Sequence, residues 1–230
     1  MTIKKIAALS FFVLMSCTSL CINIDTLKND SVMQTTGIKT AFKGGTAYKT
    51  DKNGFVIEGT PALDTDLWTT GPLVYFSSEG IVKFNSKGKV TQGVLAVNIL
   101  ANCLDNKFRE FKRGTRVFFD DEGLVFRGTL NESIEITVDN QIVRSADNSP
   151  IEFYASGGIR QITPSANFKF LTAEGIRILI SADNPIKLDE KGNLREGFLA
   201  RKLNFHNGTE TITISLGQLI KFDEKGNIIY

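Results

Sequence analysis

The stretch Ile186-Lys187-Leu188-Asp189-Glu190-Lys191-Gly192-Asn193-Leu194-Arg195-Glu196-Gly197-Phe198-Leu199-Ala200 decides the fold, because the chain repeats it. Copies recur at residues 82–96, at 117–131 and, cut short, at 220–230, with weaker ones at 48–62 and 151–165. The turn glycines of the copies are Gly54, Gly88, Gly123, Gly157, Gly192 and Gly226, at nearly constant intervals along the chain. A fixed period in this range is the mark of a repeat architecture, in which one supersecondary unit is stacked many times.

Numbering each copy from its glycine exposes the pattern. Position −6 holds Tyr48, Val82, Val117, Ile151, Ile186 and Ile220, and position −4 holds Thr50, Phe84, Phe119, Phe153, Leu188 and Phe222. Position +2 holds Val56, Val90, Val125, Ile159, Leu194 and Ile228. Apolar residues two apart, with polar ones between, put one face of a strand on a core. Between the two runs lie sequences such as Asp189-Glu190-Lys191-Gly192. An Asp or Asn that bonds its own backbone, followed by a glycine that accepts positive φ, makes a tight hairpin turn. So short a connection forces the strands antiparallel. A second glycine at +5 (Gly59, Gly93, Gly128, Gly197) reads as a bulge that bends the strand.

Position −12 (Phe42, Phe76, Phe111, Ser145, Ile180, Ile214) and the pairs Ile134/Ile136, Phe168/Phe170 and Leu203/Phe205 mark further strands. Each repeat then carries three or four. Beyond the N-terminus no capped window has helical apolar spacing. The expected fold is all-β: six repeats with a period of 34–35, forming an antiparallel β-meander or elongated repeat sheet, with a closed β-barrel or a β-solenoid as alternatives.

Residues 1–16 read as a signal peptide, with Lys4 and Lys5 ahead of the apolar run 6–15, which is too short for a stable bilayer span. Residues 17–36 are polar and weakly patterned and read as a flexible tether, with the β-repeat domain over 37–230. Cys17, Cys21 and Cys103 are too few for a disulfide framework. With 1–16 removed, 25 basic side chains face 25 acidic ones, a balance that gives no footprint for nucleic acid.

A search for chemistry finds little. His206, the single histidine, reads as a turn residue. Asp120-Asp121-Glu122 lacks the ligand spacing of a calcium loop and occupies turn positions. No cofactor and no metal site are expected. Of the 22 aromatic residues most sit in the core columns, and Trp68, Tyr75 and Phe76 near Gly71-Pro72 form the cluster that departs from them. Position −5 holds Lys49, Lys83, Phe118, Glu152, Lys187 and Lys221. Its four lysines lie on the strand face opposite the core, either as a wet surface or as a basic column for anionic lipid or glycan. A meander of three strands per repeat would set successive lysines about 14 Å apart.

Two resemblances add to this. Leu14-Met15-Ser16-Cys17 resembles the lipobox of bacterial lipoproteins, which implies a lipid on Cys17 and, with Thr18 following, the outer membrane. Met15 departs from the motif, so the alternative is a secreted or periplasmic protein. The FxxxGxVxxGxL unit resembles the hairpin arrays of MORN-type repeats, though the period differs. That family implies an elongated sheet that binds proteins or lipids, and it carries over no functional residue. The expectation is a cell-envelope lipoprotein with a non-enzymatic binding or structural module. Its partners would be the membrane through the anchor and an envelope protein, anionic lipid or glycan. The candidate contact residues are Lys49, Lys83, Lys187, Lys221, Trp68 and Tyr75. The alternative is an envelope enzyme or inhibitor whose site is built from Asp and Glu between repeats.

Overall fold

The computed structural model describes residues 22–206 and 208–229, which hold strands and no helix. The first strands are β1 (Asn23–Thr26), β2 (Ser31–Gln34), β3 (Lys39–Phe42), β4 (Ala47–Thr50), β5 (Val56–Gly59), β6 (Thr65–Trp68), β7 (Leu73–Phe76), β8 (Val82–Phe84) and β9 (Val90–Val94). There follow β10 (Ile99–Asn102), β11 (Phe108–Phe111), β12 (Arg116–Phe119), β13 (Val125–Thr129), β14 (Glu135–Val138), β15 (Gln141–Arg144), β16 (Pro150–Phe153) and β17 (Ile159–Ile162). The last are β18 (Phe168–Leu171), β19 (Arg177–Ile180), β20 (Ile186–Leu188), β21 (Leu194–Phe198), β22 (Leu203–His206), β23 (Thr211–Ile214), β24 (Leu219–Phe222) and β25 (Ile228–Ile229).

Thirteen strands form one antiparallel sheet in the order β1-β4-β5-β8-β9-β12-β13-β16-β17-β20-β21-β24-β25. The others form six separate hairpins, or ribs: β2–β3, β6–β7, β10–β11, β14–β15, β18–β19 and β22–β23. Each rib is inserted in the chain between two strands that are neighbours in the sheet. A full repeat thus has four strands, two in the sheet and two in a rib. The sheet is open, from β1 at one edge to β25 at the other, rather than closed into a barrel. At a spacing of ~4.8 Å per strand it extends about 60 Å.

The turn chemistry explains the sheet hairpins. In the turn after β20, Asp189 Oδ1 accepts from the backbone N–H of Lys191 and of Asn193, both at 2.9 Å, and Gly192 N–H donates to Asp189 O. Asp51, Asn85, Asp120 and Asp223 do the same in their own turns. The glycine then takes φ 86°, as in the three-residue loop whose last residue is left-handed. The fourth repeat has Tyr154 in place of the Asp. Its turn keeps the backbone bonds, and the phenol Oη donates instead to Leu188 O of the next repeat at 2.8 Å.

The core lies between the sheet and the ribs. Val82, Phe84, Val90, Val117, Phe119, Val125, Ile186, Leu188 and Leu194 face it from the sheet, at positions −6, −4 and +2. Leu67, Val74, Cys103, Val138, Phe170 and Ile178 face it from the ribs. Burial pushes the Cys103 thiol up to about 12, against a smaller pull from Arg109, so it is a packing group and not a thiolate.

The glycines at +5 do something other than bulge. The bulged residue is at +3 (Ile57, Thr91, Phe126, Arg160, Arg195), where the register shifts opposite −5 and −4. That extra residue lets +2 and +5 both face the core. At +5 a ring from the rib lies close against the backbone: a Cβ on Gly59 would sit 2.7 Å from the Phe42 ring, and one on Gly128 2.5 Å from that of Phe111. Gly93 meets Phe76 in the same way. In the fourth repeat the pair is inverted, with Ser145 at −12 and the fully buried Ile162 at +5. The large partner has changed sides.

Each of the first five ribs also leans over the sheet hairpin that follows it and reaches the turn of the next one. The tip at Gly37 lies on Gly88, Gly71 on Gly123, and Leu104 on Gly157. Asp139 N–H donates to Gly192 O, and Ala173 N–H to Gly226 O at 3.2 Å. These contacts join residues one and a half repeats apart, a separation that the period itself does not announce.

The stretch read as a tether is structured from residue 22 onward. Strand β1 pairs with β4, β2 pairs with β3, and Leu27 O accepts from Gly45 N–H at 2.7 Å, as Leu95 O does from Gly114 N–H. Residues 23–34 supply β1, a strand of the large sheet, and β2, the first strand of a rib. Among the described residues the array is therefore already present at Asn23, well ahead of residue 37, where the sequence pattern placed its beginning. The weak pattern has a cause: all four residues of β1 are exposed, so burial imposes no alternation on them.

An open linear array places interior and terminal core positions in different settings. Phe119 packs edge-on against Phe76, whose ring centroid is 6.4 Å away, with sheet on both sides. Phe222 packs against Phe170 beside the short edge strand β25. Phe119→Ala should cost about 3–5 kcal/mol in chemical denaturation. Phe222→Ala should cost less, because a terminal unit with one neighbour relaxes more easily. The reverse order would contradict the linear array.

Candidate binding surfaces

Three surfaces carry the side chains of interest: the outer face of the sheet, the outer face of the ribs, and a cleft between two ribs.

On the outer face of the sheet, one register row crosses every strand. It runs Ile24, Lys49, Glu58, Lys83, Gln92, Phe118, Arg127, Glu152, Gln161, Lys187, Glu196, Lys221, Ile229. The four lysines of position −5 are in this row, but each has a return-strand carboxylate, Glu58 or Glu196, beside it in the row. Glu58 lies 3.0 Å from Lys49 Nζ and 3.2 Å from Lys83 Nζ. Glu196 lies 2.8 Å from Lys187 Nζ and 3.7 Å from that of Lys221. Burial works to raise the pKa of Glu58, but hydrogen bonds and charge from Lys49 and Lys83 outweigh it and hold the carboxyl below its ordinary value. The lysines of adjacent repeats, Lys49 and Lys83 or Lys187 and Lys221, are two strands apart, about 10 Å by the usual spacing, because the rib strands leave the sheet. The wider separation expected from three strands per repeat is corrected accordingly. At mid-row Arg127 lies over the Phe118 ring, 5.1 Å from its centroid.

The ribs present a different surface. In β6–β7, Trp68 stands opposite Leu73 and Asp66 opposite Tyr75, so Trp68, Leu73 and Tyr75 share the outward face. Trp68 is half exposed, with Lys89 Nζ 5.5 Å from its ring centroid. Phe76, grouped with them by sequence, points inward and is fully buried. The neighbouring ribs repeat the theme: Val32, Leu100, Phe108, Ile142 and Leu171 are each at least 60% exposed. Sequence reasoning passed over these five, although strand alternation offered the signal. Each lies on a rib strand, one residue away from a buried or half-buried position. His206 ends β22 and is exposed, on a strand rather than in a turn.

Between the fourth and fifth ribs is a cleft of about 620 Å³. Its lining includes Gln141 from β15, Lys169, Leu171, Arg177 and Leu179 from β18–β19, and Arg201 from the segment after β21. A smaller crevice of about 280 Å³ lies where Asp105, Glu135 and Glu190 approach from three repeats. There Asp105 is already paired with Arg109, and Lys107 and Lys191 also line the space. Cys17 and Cys21 lie outside the described residues.

No protein-family model, curated protein or solved structure matches the chain.

A polar lock joins the fourth rib to the last turns. Asp139 Oδ2 accepts from Leu194 N–H at 3.0 Å, Arg195 pairs with Asp189 at 2.6 Å, and the Arg195 guanidinium also donates to Asp223 O. Burial, reinforced by the Asp189 charge, raises the Asp139 carboxyl above its ordinary value despite the Leu194 bond and the pull of Arg195. A raised folded pKa favours folding below the unfolded value, and that advantage is lost as pH rises through the folded value. Asp139 also takes φ 46°, a conformation that Asn tolerates well. Asp139→Asn keeps an acceptor for Leu194 and removes the charge. It should raise stability at pH 7, with a gain that shrinks as the pH approaches 4. A gain independent of pH would leave only the backbone effect, and a loss at pH 7 would refute the electrostatic account.

Proposed function

We propose that the protein is a cell-envelope lipoprotein, acylated at Cys17 and held at the outer membrane, whose β-repeat array is a non-enzymatic binding module that works through the outer face of its ribs. The observation that carries the binding part is the repetition of exposed apolar side chains on five successive ribs, from Val32 to Leu171. Buried positions of a repeat are fixed by packing. Repeated exposed apolar ones are not, and contiguous patches of that kind mark interaction surfaces. The sheet's outer face offers a poorer contact, since its lysines are largely compensated by Glu58 and Glu196.

The address rests on the Lys4–Lys5 start, the apolar run 6–15 and the Leu14–Cys17 motif. The fold adds a consequence to it. Residues 18–22 are all that separate Cys17 from β1, at most about 20 Å of extended chain. An acylated Cys17 would keep β1 within that distance of the bilayer instead of letting the array swing on a long tether.

Metabolic labelling with an alkyne fatty acid should tag the wild type in the membrane fraction, and Cys17→Ala should lose both the tag and the membrane association. A benzophenone side chain in place of Leu100 should then give envelope-dependent cross-links, while one in place of Gln92, on the opposite face, gives few. Equal labelling of wild type and Cys17→Ala would reject the anchor. Cross-links from Gln92 and none from Leu100 would reject the rib face.

A further inference from the structure

The cleft between the fourth and fifth ribs differs from the rest of the surface in its charges. On β18–β19 the outward residues pair as Lys169 with Leu179 and Leu171 with Arg177. Directly opposed residues share a face, so the two cations lie on one diagonal of a square and the two leucines on the other. Arg201 adds a third positive charge from a different segment, and Gln141 offers an amide from the adjacent rib. No carboxylate lines this space, and none of the three cations has an ion pair among the described residues. The lysines of the sheet row, by contrast, share Glu58 and Glu196.

Like charges placed together without a counter-charge are unfavourable, and their arrangement around apolar side chains is the complement of a particular ligand class. We propose that this cleft binds an anionic amphiphile. Its phosphate or carboxylate head would be held by Lys169, Arg177 and Arg201, and its apolar body would rest on Leu171 and Leu179. Arg177 and Arg201 each present a planar fork suited to two oxygens of such a head, while Lys169 supplies a point charge. Burying the apolar body against the leucines removes both from water. The volume lies within the range of small-molecule sites. The inference deepens the reading of the ribs as the binding face, and it does not require the lipid anchor.

The test uses full-length protein in its own membrane and dodecyl phosphate carrying a diazirine on the alkyl chain. Irradiation should label the segment 169–179. Lys169→Gln/Arg177→Gln/Arg201→Gln should lower that labelling at least tenfold while leaving the melting temperature near that of the wild type. Leu171→Ser should also lower it. Unmodified dodecyl phosphate should compete at least tenfold better than inorganic phosphate, and better than dodecylphosphocholine, which has the tail without the net charge. Competition by anionic phosphatidylglycerol vesicles would identify a bilayer lipid as the source, and competition by the monomer alone a free amphiphile. Either result supports the cleft. Undiminished labelling of the triple variant overturns the proposal, as does equal competition by inorganic phosphate or labelling spread along all the ribs. Soluble protein that is still labelled at 169–179 would reject the anchor and retain the cleft.

Discussion

The fold depends on one contact: a large side chain from a rib lying against the backbone of a sheet strand at the position where that strand has no Cβ. Phe42 on Gly59, Phe76 on Gly93 and Phe111 on Gly128 bring the two layers as close as ring and main chain allow. Ile180 on Gly197 repeats the contact with a smaller group, where a Cβ would sit 3.1 Å away. Glycine in a strand normally weakens it, because it adds backbone entropy and removes a side chain to pack. Here the side chain is supplied from the other layer. The bulge just before the glycine makes this possible, since without an extra residue at +3 the +2 and +5 positions would face opposite sides.

The two surfaces follow from this arrangement. The ribs cover one face of the sheet, so the other face meets solvent along a single row of paired strands. On that row a lysine on one strand and a glutamate on the next compensate each other, with the small energies typical of exposed ion pairs. The ribs have no further layer over them. Their outward side chains are unconstrained by packing, and there the chain carries Trp68, Leu100, Phe108, Ile142 and the Lys169–Arg177 diagonal.

Much of the architecture is legible in the sequence. The six turn glycines, the apolar columns and the Asp or Asn three residues before most of those glycines mark the sheet hairpins residue by residue, because turns and alternation are local. What connects distant residues is not legible. The lean of the first five ribs onto the turn of a later repeat, as from Asp139 to Leu194, leaves no periodic trace. Strand β1 carries no pattern because nothing on it is buried. The lysine column is visible, but its partners are not. Glu58 and Glu196 fall in the row only because the bulge shifts the register by one. The exposed rib residues are hidden for another reason, since any strand with one buried face has an unburied alternate whose chemistry says nothing until the opposite layer is known to be absent.

The fourth repeat offers the most direct test, because it solves the same packing problem with the partners exchanged. Its Ser145 and Ile162 can be transplanted into the third repeat as Phe111→Ser and Gly128→Ile, singly and together, and unfolding measured by chemical denaturation. Phe111→Ser alone should empty the site and cost about 3–5 kcal/mol. Gly128→Ile alone should force its new side chain into the Phe111 ring and also destabilise. The double variant should be more stable than the sum of the two losses implies, with a coupling of roughly 1–3 kcal/mol. Additive losses would mean that the two positions do not share one space, and the ring-on-glycine account of how the layers hold together would be wrong.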